Sequence, residues 1–96
     1  MKVHLINKGL LMRYLNDNTK ARKGLSVWIA IMNHADWNKV ADIDQTFGLP
    51  FISKAEREVK FEIPKSNIVI TCGYFFHSTR VHFLIRDIRT NEVQSN

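Results

Sequence analysis

Residues 58–63 read Glu58-Val59-Lys60-Phe61-Glu62-Ile63, and this alternation decides the fold. Val59, Phe61 and Ile63 fall on one side of an extended chain, and Glu58, Lys60 and Glu62 on the other. That is the pattern of a strand with one buried and one wet face, expected from about residue 56 to 63. Pro64-Lys65-Ser66-Asn67 reads as a turn, and Ile68 to Phe76 is an apolar run suited to a central strand. His77-Ser78-Thr79 turns the chain again. From Arg80 to Ile88, Val81, Phe83 and Ile85 share one face while Arg80, His82 and Arg86 share the other. Three strands joined by tight turns imply an antiparallel sheet.

Upstream the period changes. Residues 2–6, Lys-Val-His-Leu-Ile, read as a short opening strand, and Asn7 as an N-cap for a helix over 8–17 carrying Leu10, Leu11, Tyr14 and Leu15. Asn16-Asp17-Asn18-Thr19 weakens its end, because short polar side chains compete for the backbone. Leu25, Trp28, Ile29 and Met32 recur at i, i+3, i+4 and i+7, so a second helix buries them on one face, with Trp28 as a core anchor. Asp36 and Asp42 are expected to cap short helical turns, the second over about 42–47, before Gly48 and Pro50 end the section. The expected fold is α+β: one domain over 1–96, with an N-terminal strand and two helices packed on an antiparallel sheet.

The chain has 96 residues, of which 45% are apolar and 24% charged, which excludes wholesale disorder and collagen-like repeats. A chain this short buries roughly 65% of its unfolded surface, enough for one core. Fourteen Lys and Arg against nine Asp and Glu give a formal charge of +5. That excess suits nucleic acid, a ribosomal surface or an acidic protein. It is spread evenly: residues 1–48 hold seven basic and four acidic groups, and 49–96 hold seven and five. The single cysteine, Cys72, forms no internal disulfide, and no Cys/His pair has metal spacing, so no metal or cofactor is expected. The N-terminus is charged too early for a signal peptide, and no apolar run approaches the roughly 18 residues of a membrane span. The expectation is a cytoplasmic protein without a membrane partner.

The strand over 80–88 carries the most suggestive chemistry. Arg80, His82 and Arg86 are the candidate catalytic residues, with His77 and Arg89 flanking them. Guanidinium groups match phosphate oxygens bidentately, and a histidine is suited to move the proton of a ribose 2′-hydroxyl. Metal-free phosphodiester cleavage needs a base, an acid and fixed positive charge. The same pattern also fits a plain solvated strand face. Lys60 and Lys65 could widen an RNA-binding surface with His77 and Arg89, although Glu56, Glu58 and Glu62 interleave with the lysines. His4 is read as closing a strand face, His34 as complementing a helix dipole, and Cys72 as a buried, inert thiol. Phosphate-cradling glycine loops, GxSxG elbows and glycosidase-type carboxylate pairs are absent from the sequence.

Several strings together resemble HigB-type toxins of the RelE superfamily. They are Ala35-Asp36-Trp37-Asn38, Ala41-Asp42-Ile43 and Thr46-Phe47-Gly48, with the opening Met-Lys-Val-His-Leu-Ile and Thr79-Arg80-Val81-His82 before Phe83-Leu84-Ile85. The similarity runs from residue 1 to Thr90. It implies two N-terminal helices on an antiparallel sheet. It also implies the toxin of a type II toxin–antitoxin pair, which cleaves mRNA in the ribosomal A site without metal. Its partners would be the ribosome, mRNA and a cognate antitoxin of helix-turn-helix type. The chain departs from the family where function sits. Asn67-Ile68-Val69 stands where the family has Asn-Tyr-Arg, Pro64-Lys65 replaces Gly-Gly, and Thr90-Asn91-Glu92-Val93-Gln94-Ser95 replaces Thr-His-Ala-Glu-Tyr-Asp. Val69, Asn91 and Gln94 therefore replace an arginine, a histidine and a tyrosine. The alternative implied by these losses is a degenerate binding module that keeps an antitoxin- or ribosome-binding surface.

Overall fold

A computed structural model describes residues 1–47, 51–63 and 67–90. In chain order its elements are β1 (Lys2–Ile6), α1 (Lys8–Asp17), a 3-10 turn (Thr19–Ala21), α2 (Arg22–His34), α3 (Val40–Phe47), β2 (Phe51–Ser53), β3 (Glu58–Ile63), β4 (Ile68–His77) and β5 (Arg80–Thr90). The alternation at 58–63 is realised as β3, with Val59, Phe61 and Ile63 buried and Lys60 and Glu62 exposed. Ser78-Thr79 links β4 to β5 in a two-residue turn. The turn expected at Pro64-Lys65-Ser66 lies outside the described residues.

The architecture is three helices on a five-stranded sheet ordered β1-β5-β4-β3-β2. The sheet is mixed rather than antiparallel, because β1 runs parallel to β5 while the other pairs are antiparallel. Parallel neighbours cannot be joined by a hairpin. Here helices and three further strands intervene, so β1 returns to cover the edge that β5 would otherwise expose. Strand β2 went unread from sequence: three residues are too few to show a period, and pairing with β3 defines it.

The core lies between the helices and one face of the sheet. Leu25, Trp28 and Met32 of α2 and Ile43 of α3 join Val59, Phe61, Ile70, Cys72, Val81, Phe83 and Ile85 in one cluster. Ring contacts cross it: Trp28 meets Phe61 with centroids 5.5 Å apart, and Phe47 meets Phe61 at 4.7 Å. Among the described residues no polar or charged residue is buried. The hydrophobic effect therefore holds the layers together, at about 25 cal/mol per Å² of apolar surface removed from water.

Local bonds correct three capping expectations. Asn7 adopts a left-handed conformation (φ 74°) and makes no side-chain cap; its Nδ2 donates instead to the Ile85 carbonyl at 3.0 Å, tying the start of α1 to β5. Short polar side chains tolerate that region best. Helix α3 begins at Val40, before Asp42, whose carboxylate reaches back to accept from the Asn38 N–H at 2.9 Å and the Lys39 N–H at 3.3 Å. This is the return half of a capping box, satisfying amides that precede the first turn. Asp36 caps nothing: it ion-pairs with the N-terminal ammonium, which also donates to Asn38 Oδ1 at 2.9 Å. That ammonium holds the Asp36 carboxyl below its usual range.

The Trp37 backbone N–H donates to the Met1 carbonyl at 2.9 Å, and its indole Nε1 donates to Thr46 Oγ1 at 2.9 Å. The Asp36–Thr46 strings thus fasten the N-terminus and α3 to the sheet.

Candidate functional site

With the helices on one face, the opposite face of the sheet is open among the described residues. The strand register orders its side chains in rows. The first is Lys2–Arg80–His77 and the second His4–His82–Phe75. The third is Ile6–Leu84–Gly73–Glu58. Beyond it, Thr71 stands between Asp87 and Lys60, and Val69 between Arg89 and Glu62.

A bulge separates the third row from the rest. Cys72 faces Ile85 but Thr71 faces Asp87, so Arg86 is an extra residue on β5. Bulges bend a strand and re-aim its side chains. Arg86 lies over Gly73, where a Cβ would sit 2.5 Å from its Nη2, and its Nη1 donates to Glu58 Oε2 at 3.1 Å. Glycine at 73 is what lets the guanidinium rest against the sheet.

The candidate residues therefore form two groups. Arg80, His82 and His77 stand together at one end, while Arg86, Arg89 and Lys60 line a groove at the other. His82 and Arg86 are four residues apart along β5, about 13 Å at strand rise. The face expected to join Arg80, His82 and Arg86 is real, but they do not converge on a single phosphate. Lys65, Asn91 and Gln94 lie outside the described residues.

The histidine end contains a residue whose role the sequence hid. His4 Nδ1 lies 3.0 Å from His82 Nδ1, with the rings edge to face at 5.2 Å; His77 follows at 6.2 Å from His82. A hydrogen bond between two Nδ1 atoms requires one to carry a proton and the other to accept it. The two imidazoles are thus within hydrogen-bonding reach of each other across β1 and β5. Alternation placed His4 on a face, but only the parallel pairing of β1 with β5 brings it to His82.

The groove is chemically different. Lys60, Arg86 and Arg89 stand among Glu58, Glu62 and Asp87. Arg86 is bonded to Glu58, and Arg89 Nε donates to Asp87 Oδ2 at 2.6 Å. The Asp87 carboxylate strengthens the hold of Arg89 on its proton. Cations and carboxylates balance there, and Val69 is among the residues that line it. On the inner face, burial pushes the Cys72 thiol up to about 12, so it is no nucleophile near neutral pH.

A second depression beside Ala35, Asp36, Trp37, Asn38 and Thr46 coincides with the bonds that fasten the N-terminus. Among the described residues no cluster of three His, Cys, Asp or Glu could hold a metal ion, and no helix is long and apolar enough to cross a membrane. Compared with known proteins, the chain matches no protein-family model and no curated relative.

Proposed function

We propose that this chain is a HigB-like toxin of the RelE type. In this reading it is one half of a type II toxin–antitoxin pair, acting in the cytoplasm on ribosome-bound mRNA through the open face of its sheet. The observation that carries the reading is the His4–His82 pair, with Nδ1 atoms 3.0 Å apart beside Arg80 and His77. One imidazole of the pair takes the proton of a ribose 2′-hydroxyl, and the other can return a proton to the leaving oxygen. Arg80 supplies fixed positive charge to the phosphate. Arg86 and Arg89 hold the flanking message once their carboxylates yield. A helix-turn-helix antitoxin, covering this basic face, would restrain it.

The test is purified ribosomes programmed with a defined message. Cleavage is expected, together with its loss in His82→Ala and Arg80→Ala proteins that keep the wild-type circular dichroism. Intact message, together with harmless induced expression, would remove the enzymatic reading. A second reading is favoured by the paired charges and Val69 in the groove: a module that binds ribosome or antitoxin without cleaving. It predicts ribosome co-sedimentation with no cut message, and gain of cleavage when Val69→Arg, Asn91→His and Gln94→Tyr are combined.

A further inference from the structure

We infer that Phe75 is a stacking platform for an unpaired base of single-stranded RNA, served by the Lys2 and Arg80 cations of the row beside it. The inference rests on the reading that the open face meets RNA, and it adds a contact outside the groove. Phe75 is 39% exposed on β4, the central strand of the sheet, and no aromatic ring packs on it among the described residues, although seven of the other rings interlock in or beside the core. A base laid on the ring would remove its apolar face from water and add a stacking contact. Its cross-strand neighbour is His82, and His77 stands two residues along the same strand.

Charge then selects the occupant. From Phe75 towards the β4–β5 turn the open face carries Arg80, Lys2 and the three imidazoles. The carboxylates of that face, Glu58, Glu62 and Asp87, all lie on the far side of Phe75. Of the carboxylates off those rows, Asp36 is held by the N-terminal ammonium, and Glu56, in the turn before β3, is followed by Arg57, whose carbonyl accepts from the Tyr74 N–H at 2.9 Å. A polyanion that also presents a bare π-face fits both features, and single-stranded RNA is one. A duplex keeps its bases stacked inside and cannot use the ring.

The experiment is fluorescence anisotropy of a labelled 12-nucleotide single-stranded RNA, with the matching duplex as control, at fixed salt. Phe75→Ala is expected to weaken single-strand binding by about 5- to 150-fold, the range of one base–aromatic stack, and to leave duplex binding unchanged. Phe75→Trp is expected to restore it. Arg80→Gln is expected to make the log–log salt dependence shallower by about 0.7, one phosphate contact on a single strand. Equal affinity of Phe75→Ala and wild type, equal losses on single strand and duplex, or no single-strand binding by the wild type each overturns the inference. Ribosome-dependent cleavage that survives such a result would leave the proposed function standing, and stacking without cleavage would leave only this inference.

Discussion

Replacing Glu58 by glutamine isolates what the groove does with its charges. Glu58 accepts from Arg86 Nη1 at 3.1 Å, and the two side chains are 20% and 38% exposed. A pair this wet contributes about 0–1 kcal/mol to stability, so the variant should fold with only a small loss. Its effect on binding is larger in proportion. Three cations, Lys60, Arg86 and Arg89, face three carboxylates, Glu58, Glu62 and Asp87, so the change moves the groove from neutral to one net positive charge. If Arg86 then reaches one more phosphate of a single strand, log K falls more steeply with log salt, by about 0.7. Between about 0.2 and 0.05 M salt that slope alone gives a roughly 2.6-fold greater rise in affinity than wild type shows. Anisotropy titrations across the salt series measure the slope, and thermal melts measure the stability change. An unchanged slope with unchanged affinity would refute the claim that Glu58 keeps Arg86 from phosphate.

Three further outcomes follow from the fold. Asp42→Ala removes the acceptor for the Asn38 and Lys39 amides and is expected to cost about 0.5–2 kcal/mol in urea unfolding; a loss near zero would show that the cap carries no weight. The folded Cys72 thiol titrates at about 12 against an ordinary value of 9.0, so the stability it contributes is complete below pH 9 and is lost as pH rises from 9 towards 12. Across that window wild type should lose up to about 1.4 kcal/mol per pH unit more than Cys72→Ala, and parallel curves would contradict the burial of the thiol. Gly73→Ala would drive its Cβ into the Arg86 guanidinium, a flexible tip that can swing away. Stability should therefore change by less than about 1 kcal/mol while the salt dependence of RNA binding moves as in Glu58→Gln; a collapse of the fold would contradict this.

Much of the fold was legible because period is a local property. The alternation at 58–63 and the i, i+3, i+4, i+7 spacing of Leu25, Trp28, Ile29 and Met32 each report a buried face without reference to any neighbour. Apart from Asp42, whose partners Asn38 and Lys39 are close by, the misread features depend on partners distant in sequence. Asn7 donates to Ile85, Asp36 holds Met1, and β1 lies parallel to β5, all through pairings of more than thirty residues. The candidate site follows the same division. Alternation put Arg80, His82 and Arg86 on one face, but the bulge at Thr71/Cys72 gave Arg86 to a different cluster. The Glu58 carboxylate that pairs with it, and the His4 that completes the histidine pair, come from other strands.

The central claim is that RNA meets the open face of the sheet. Amide chemical-shift perturbation on a ¹⁵N-labelled sample titrated with single-stranded RNA tests it most directly in a chain of 96 residues. The account predicts the largest shifts at Lys2, His4, Phe75, His77, Arg80 and His82, with smaller ones in the groove at Lys60 and Arg86. Shifts concentrated on α1 and α2, with the open face silent, would contradict it.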